Sequence, residues 1–141
     1  MLKTLVPIDG SESALRALRH VLALRREGLI VEIHLINVQI PIASGHAKMF
    51  INTDDYNRYC QEEALALLAP ARAIILDVGA DYRHHIVVGH IADSIARFAG
   101  EQKVDNIVMG TRGMSAISDL VMGSVAHKVI HLAAVPVTLV K

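Results

Sequence analysis

Two rhythms of apolar residues alternate along this chain. Leu2–Ile8 is a short, nearly continuous apolar run, the mark of a strand buried on both faces. The polar stretch DGSESA follows, with Ser11 or Asp9 placed to cap a helix. Ala14, Leu15, Leu18, Val21 and Leu22 then recur at helical spacing, with Arg16, Arg19 and Arg26 turned outward and Gly28 as the stop. Ile30–Val38 predicts a second strand. Residues 39 to about 54 form a long loop containing Pro41 and Gly45, of a length that usually means function or mobility. A helix is predicted from about Asp54 to Asp77, kinked at Pro70. Tyr82–Val88, Ile91–Gln102 and Val104–Met109 predict strand, helix and strand. A glycine-bearing segment leads to a helix from Ser124 to about Ala134, then a last strand, Pro136–Val140. Five strands alternating with four helices predict an α/β fold: an open parallel sheet, helices on both faces and right-handed crossovers.

Composition narrows the setting. At 141 residues the chain is one domain, long enough to bury a core. Hydrophobic residues make up 52% and charged residues 20%, which excludes a disordered chain. Fourteen basic residues balance fourteen acidic ones, so nothing in the net charge draws the protein to nucleic acid or an anionic membrane. Eight histidines are scattered, and the single cysteine, Cys60, has no internal disulfide partner. The opening MLKTLVPIDG reaches proline and aspartate too early for a signal peptide. The longest greasy stretch, residues 64–76, is short for a membrane span and includes Pro70 and Arg72. A cytoplasmic protein with no membrane or nucleic-acid partner is the expectation.

The candidate chemistry sits in MGTRGMSAISDLVMGSVAHKV, residues 109–129. In open α/β sheets, ligands bind beyond the carboxyl ends of the strands where strand order reverses. Two segments suit such a place: VPIDGSES after the first strand and this one after the fourth. Gly110 and Gly113 lack a Cβ, which permits unusual dihedrals and close approach of a ligand. Gly123-Ser124 opens a helix, where free N–H groups and the helix dipole attract anions, and the Ser124 hydroxyl can donate to a phosphate oxygen. Arg112 is the loop's one cation. Spacing alone leaves two readings open, a phosphate cradle and plain turn and cap chemistry. Neither a Walker GxxxxGK[ST] nor a Rossmann GxGxxG is present.

Gly110, Gly113, Gly123 and Ser124 keep the spacing Gly, two residues, Gly, nine residues, Gly, Ser. With TLVPIDGSESALRAL at one end and GSVAHKVIHLAAVPVTLVK at the other, the chain resembles the universal stress protein family along essentially its whole length. The resemblance implies sheet order 3-2-1-4-5, a homodimer and, for the glycine-signature branch, ATP with or without magnesium. It implies that Asp9 meets polar atoms of ribose or adenine and that Pro7 and Met109 wall the base, while the Val38 backbone contacts adenine. Gly110 and Gly113 would run along ribose and phosphates, with Gly123, Ser124 and Val125 holding phosphates at the helix start. Asp9 serves equally well as a helix cap, and Val38 and Met109 as core residues.

The function expected is an ATP-binding regulatory module of a stress response, acting through an unidentified protein partner. The alternatives are a slow ATPase or phosphotransferase and a nucleotide-free interaction dimer. Asp119 is the loop's one carboxylate, a thin set with Arg112 for phosphoryl transfer. No catalytic residue and no metal site is assigned. His127 and His131 have zinc-compatible spacing, but with Val125, Val129 and Leu132 marking the buried side they read with Lys128 as a solvated face. His84 and His85 are adjacent in a strand and point opposite ways. Leu65, Leu67, Leu68, Ile74 and Ile75 read as deep burial ahead of a partner surface. Pro136–Val140, at the sheet edge in that order and without charge before Lys141, is the expected dimer seam.

Overall fold

The computed structural model describes residues 1–41, 52–113 and 122–141. Its elements run β1 (Leu2–Pro7), α1 (Glu12–Arg26), β2 (Val31–Gln39), α2 (Thr53–Asp77), β3 (Tyr82–Val88), α3 (Ile91–Glu101), β4 (Asn106–Gly110), α4 (Ser124–Leu132) and β5 (Val137–Val140). The strands form one sheet in the order β3-β2-β1-β4-β5, every neighbouring pair parallel. Most of the long loop around residues 42–51, and Asp119, lie outside the described residues.

Alternation along the strands feeds two cores. Val6, Ile8, Ile33, Leu35 and Val108 point to the face covered by α1 and α2, where they meet Ala14, Leu18, Val21, Leu68, Ala71 and Ile75. Leu5, Ile36, Ile107 and Met109 point to the other face, onto Ala92, Ile95 and Ala99 of α3 and Ala126 and Val129 of α4. Both faces being covered, the strands read as apolar runs rather than strict alternation.

Local chemistry sets the ends. Ser11 caps α1, its Oγ accepting from Ala14 N–H at 3.1 Å, while Asp9 holds the turn before it through Oδ1, accepting from Ser11 N–H at 2.9 Å. Gly28 follows α1 at φ +103°, a left-handed position that glycine adopts without strain. Helix α2 is continuous through Pro70. Pro70 and Ala66 are both exposed, so water can take the Ala66 carbonyl that the missing N–H leaves free. Leu68 and Ile75 are fully buried, Leu67 and Ile74 half-buried, and Leu65 lies at the surface. Helix α4 ends at Leu132, which is 49% exposed rather than on the buried side, and the chain leaves helical geometry at Ala133. His127, Lys128 and His131 are exposed. Among the described residues no helix is long and apolar enough to cross a membrane.

Candidate functional site

Strands β1 and β4 are neighbours, yet β1 leads to α1 on one face and β4 to α4 on the other. The chain therefore parts at their carboxyl ends, and a crevice opens there. It holds a cavity of about 460 Å³, within the roughly 300–1,000 Å³ usual for small-molecule sites. All ten residues singled out from the sequence line it: Pro7 and Asp9 from the end of β1, Val38 from β2, Met109, Gly110, Arg112 and Gly113 from β4 and its loop, and Gly123, Ser124 and Val125 at the start of α4.

The walls are apolar. Ile36 and Val38 come from β2, Ile91 and Ile95 from α3, and Met122 from the approach to α4. Polar groups gather at the mouth. With Asp9 Oδ1 committed to Ser11, Oδ2 faces Gly113, where an added Cβ would stand 2.9 Å away. Among the described lining residues Asp9 is the one carboxylate and Arg112 the one side-chain cation. Helix α4 has Gly123 as its N-cap and no side-chain cap. The first-turn N–H groups of Ser124, Val125 and Ala126 have no acceptor within the helix, and all three residues border the cavity. This is an anion-binding arrangement joined to an apolar slot.

None of Gly110, Gly113 and Gly123 has a left-handed φ, so unusual dihedrals are not what these positions need. Gly110 is required by packing against α1: a Cβ there would lie 2.8 Å from the Ser13 carbonyl carbon and oxygen and closer still to Ser13 Oγ. Gly123 is folded against the preceding loop, its N–H donating to Thr111 O at 2.6 Å, with room for a Cβ only 3.2 Å from that same oxygen. Of the three, Gly113 alone is exposed, and among the described residues the Asp9 carboxylate is the one group near it.

Asn37 and Ser13 escaped the sequence reading. Asn37 is 2% exposed; its Nδ2 donates to Ile8 O at 2.8 Å and its Oδ1 accepts from Gln39 Nε2 at 2.8 Å. It thereby ties β2 to the residue just before Asp9. Its signal was a polar amide inside the apolar run HLINV. Ser13 Oγ accepts from Arg112 N–H at 3.4 Å and links α1 to the glycine loop; nothing in its local sequence marked it.

Comparison with known proteins gives a consistent result. The Universal stress protein family matches residues 1–141. Universal stress protein MJ0577 of Methanocaldococcus jannaschii is 30% identical, the alignment covering 99% of this chain and 94% of that protein. Its solved structure superposes with a TM-score of 0.83 at 31% identity, over 99% of this chain and 95% of that one. Universal stress protein YxiE of Bacillus subtilis is 29% identical over 99% of this chain and 98% of its own. An AMP-bound universal stress protein family member from Arabidopsis thaliana shares the fold at a TM-score of 0.71 and 21% identity, covering 100% of this chain and 92% of that one.

Proposed function

The chain belongs to the universal stress protein family, and we propose that it is a nucleotide-dependent regulatory module whose β1/β4 cavity takes an adenine nucleotide, ATP in the first instance. The observation that carries this reading is the convergence of an apolar slot, a carboxylate and an uncapped helix start on one cavity. In the proposed pose the base lies between Pro7, Val38 and Met109, and the Val38 backbone meets its polar edge. Asp9 Oδ2 accepts from ribose hydroxyls. Phosphates rest on the N–H groups and hydroxyl at Ser124 and Val125, beside Gly113 and Arg112, where the helix dipole favours negative charge. The AMP-bound Arabidopsis protein is a precedent for the fold alone. Magnesium, where present, would travel with the triphosphate: among the described residues no cluster of three or more His, Cys, Asp or Glu side chains is placed to hold a metal.

Binding, rather than turnover, is the proposed activity. Phosphoryl transfer draws on metal, cationic clamps and a positioned base; Arg112 and Asp9 are the charged side chains among the described lining residues. Hydrolysis is expected far below the roughly 10 per second typical of enzymes. The protein is further proposed to act in the cytoplasm in a stress response, as a homodimer paired through β5, which lies at the sheet edge.

Mass spectrometry of small molecules released from the purified protein, followed by calorimetry with ATP, AMP and GTP, tests the reading. Adenine nucleotides should bind and GTP should not. Gly113→Val should abolish binding while the protein stays folded, since its side chain would push into the mouth beside Asp9. Wild-type affinity in that variant would refute the site.

A further inference from the structure

Away from the cavity's mouth, beneath α3, three ionisable side chains form a chain of hydrogen bonds. Glu32 Oε1 lies 2.6 Å from His34 Nε2, and His34 Nδ1 lies 2.9 Å from His85 Nε2. Glu32 and His34 share one face of β2, and His85 stands beside them on β3 opposite Ile36. His34 is 1% exposed. The two imidazole planes are 4° apart with centroids 5.1 Å apart. In nearly parallel planes no two atoms can be closer than the planes themselves. The 2.9 Å N···N distance therefore puts the planes nearer than the ~3.5–4.0 Å of carbon contacts. The rings cannot be stacked face to face; they lie edge to edge, joined nitrogen to nitrogen.

This geometry fixes the protons. The Glu32 carboxylate accepts, so His34 carries hydrogen on Nε2 and offers the Nδ1 lone pair. His85 must then donate from Nε2, which leaves His85 Nδ1 as the acceptor at the end of the chain. We propose that Glu32, His34 and His85 form a binding site for a single proton. The proton adds at His85 Nδ1; the hydrogen on His85 Nε2 crosses to His34 Nδ1; the new positive charge then rests on His34 against the Glu32 carboxylate. No bond other than N–H changes, and one positive charge is gained. A second proton would set two imidazolium rings side by side and lose the N–H···N bond, so the pair titrates as a unit.

The surroundings hold the site to one charge. Lys3 approaches from β1, and Arg83 and His84 from β3, all unfavourable to added positive charge. From α3 the neighbour is the Phe98 ring, 4.6 Å from that of His85; on that helix Arg97 and Glu101 pair with each other at the surface and Asp93 is exposed. The charge taken up on acidification thus sits between sheet and helix, on β2, the strand that also carries Asn37 and Val38 to the cavity wall.

Nitrogen-detected NMR of the histidine rings tests this without any nucleotide. At pH 8 both rings should be Nε2–H tautomers. On titration to pH 5 the pair should gain one proton in total, with His34 and His85 resonances moving together. Glu32→Gln should move that uptake to roughly tenfold higher proton concentration by removing the facing charge. His85→Phe, which keeps an aromatic ring against Phe98, should abolish the joint transition while the fold stays intact by amide spectrum. Independent titration of the two rings, uptake of two protons, or an unshifted transition in Glu32→Gln would overturn the proposal.

Discussion

Gly110→Ala should weaken the fold by closing a gap that only glycine leaves. The new Cβ would stand 2.8 Å from the carbonyl carbon and oxygen of Ser13, where unstrained carbon contacts run to ~3.5–4.0 Å. Both obstacles are backbone, so no side chain can rotate away. Helix α1 would have to lift from β4, yet Ala14, Ala17, Leu18 and Val21 hold it in the core. Overpacking of this kind costs about 1–3 kcal/mol, and a backbone obstacle argues for the upper half. For a chain of this size that corresponds to roughly 8–12 °C in melting temperature, at about 4 °C per kcal/mol. Gly113→Ala is the control. Gly113 is exposed and, among the described residues, its Cβ would meet just the end of the Asp9 side chain, so its stability should stay within about 0.5 kcal/mol. Urea and thermal unfolding of both variants decide the matter. Gly110→Ala unfolding at the wild-type midpoint would refute the packing argument.

Three other outcomes follow from the same geometry. Ser11→Ala removes the cap on α1 and should cost about 1 kcal/mol in urea unfolding; no loss would mean that Asp9 carries the cap. Burial, then the charges of His34, His84, Lys3 and Arg83, hold His85 below the usual histidine value, and the hydrogen bond from His34 holds Glu32 below the usual carboxylate value. With both folded-state values lowered, the unfolded chain binds more protons in acid, so stability should be level above about pH 7 and fall below about 6.5 as His85's share is lost, then again below about 4.5 for Glu32; a urea midpoint that rises between pH 7 and pH 5 would contradict this. Light scattering should report a dimer for the wild type and a shift toward monomer for Thr138→Lys or Leu139→Lys in β5, whereas a wild-type monomer at tens of micromolar would rule out the β5 seam.

The sequence made the architecture legible because each element carried its own punctuation. Tyr82–Val88 was bounded by Asp81 and Gly89, and β1 by the DGS turn, so their limits could be read to within a residue or two. The crevice was legible for a different reason: the signature glycines and Asp9 lie at strand ends, where parallel topology gathers separate loops. What stayed hidden depended on register. His34 and His85 are 51 residues apart, and only the pairing of β2 with β3 brings their rings together. Taken as a sequence pair, His84 and His85 point opposite ways, and His85's partner lay on another strand. The reason for Gly110 was equally non-local, since its constraint comes from Ser13 across the β4–α1 contact.

The central claim is that the β1/β4 crevice binds an adenine nucleotide, and titrating labelled protein with ATP while following backbone amides tests it most directly. Shifts should concentrate at Asp9, Val38, Gly110, Arg112, Gly113 and Gly123 through Val125, and saturate together. A titration that leaves these amides unmoved at millimolar ATP, or moves a different set, would contradict the account.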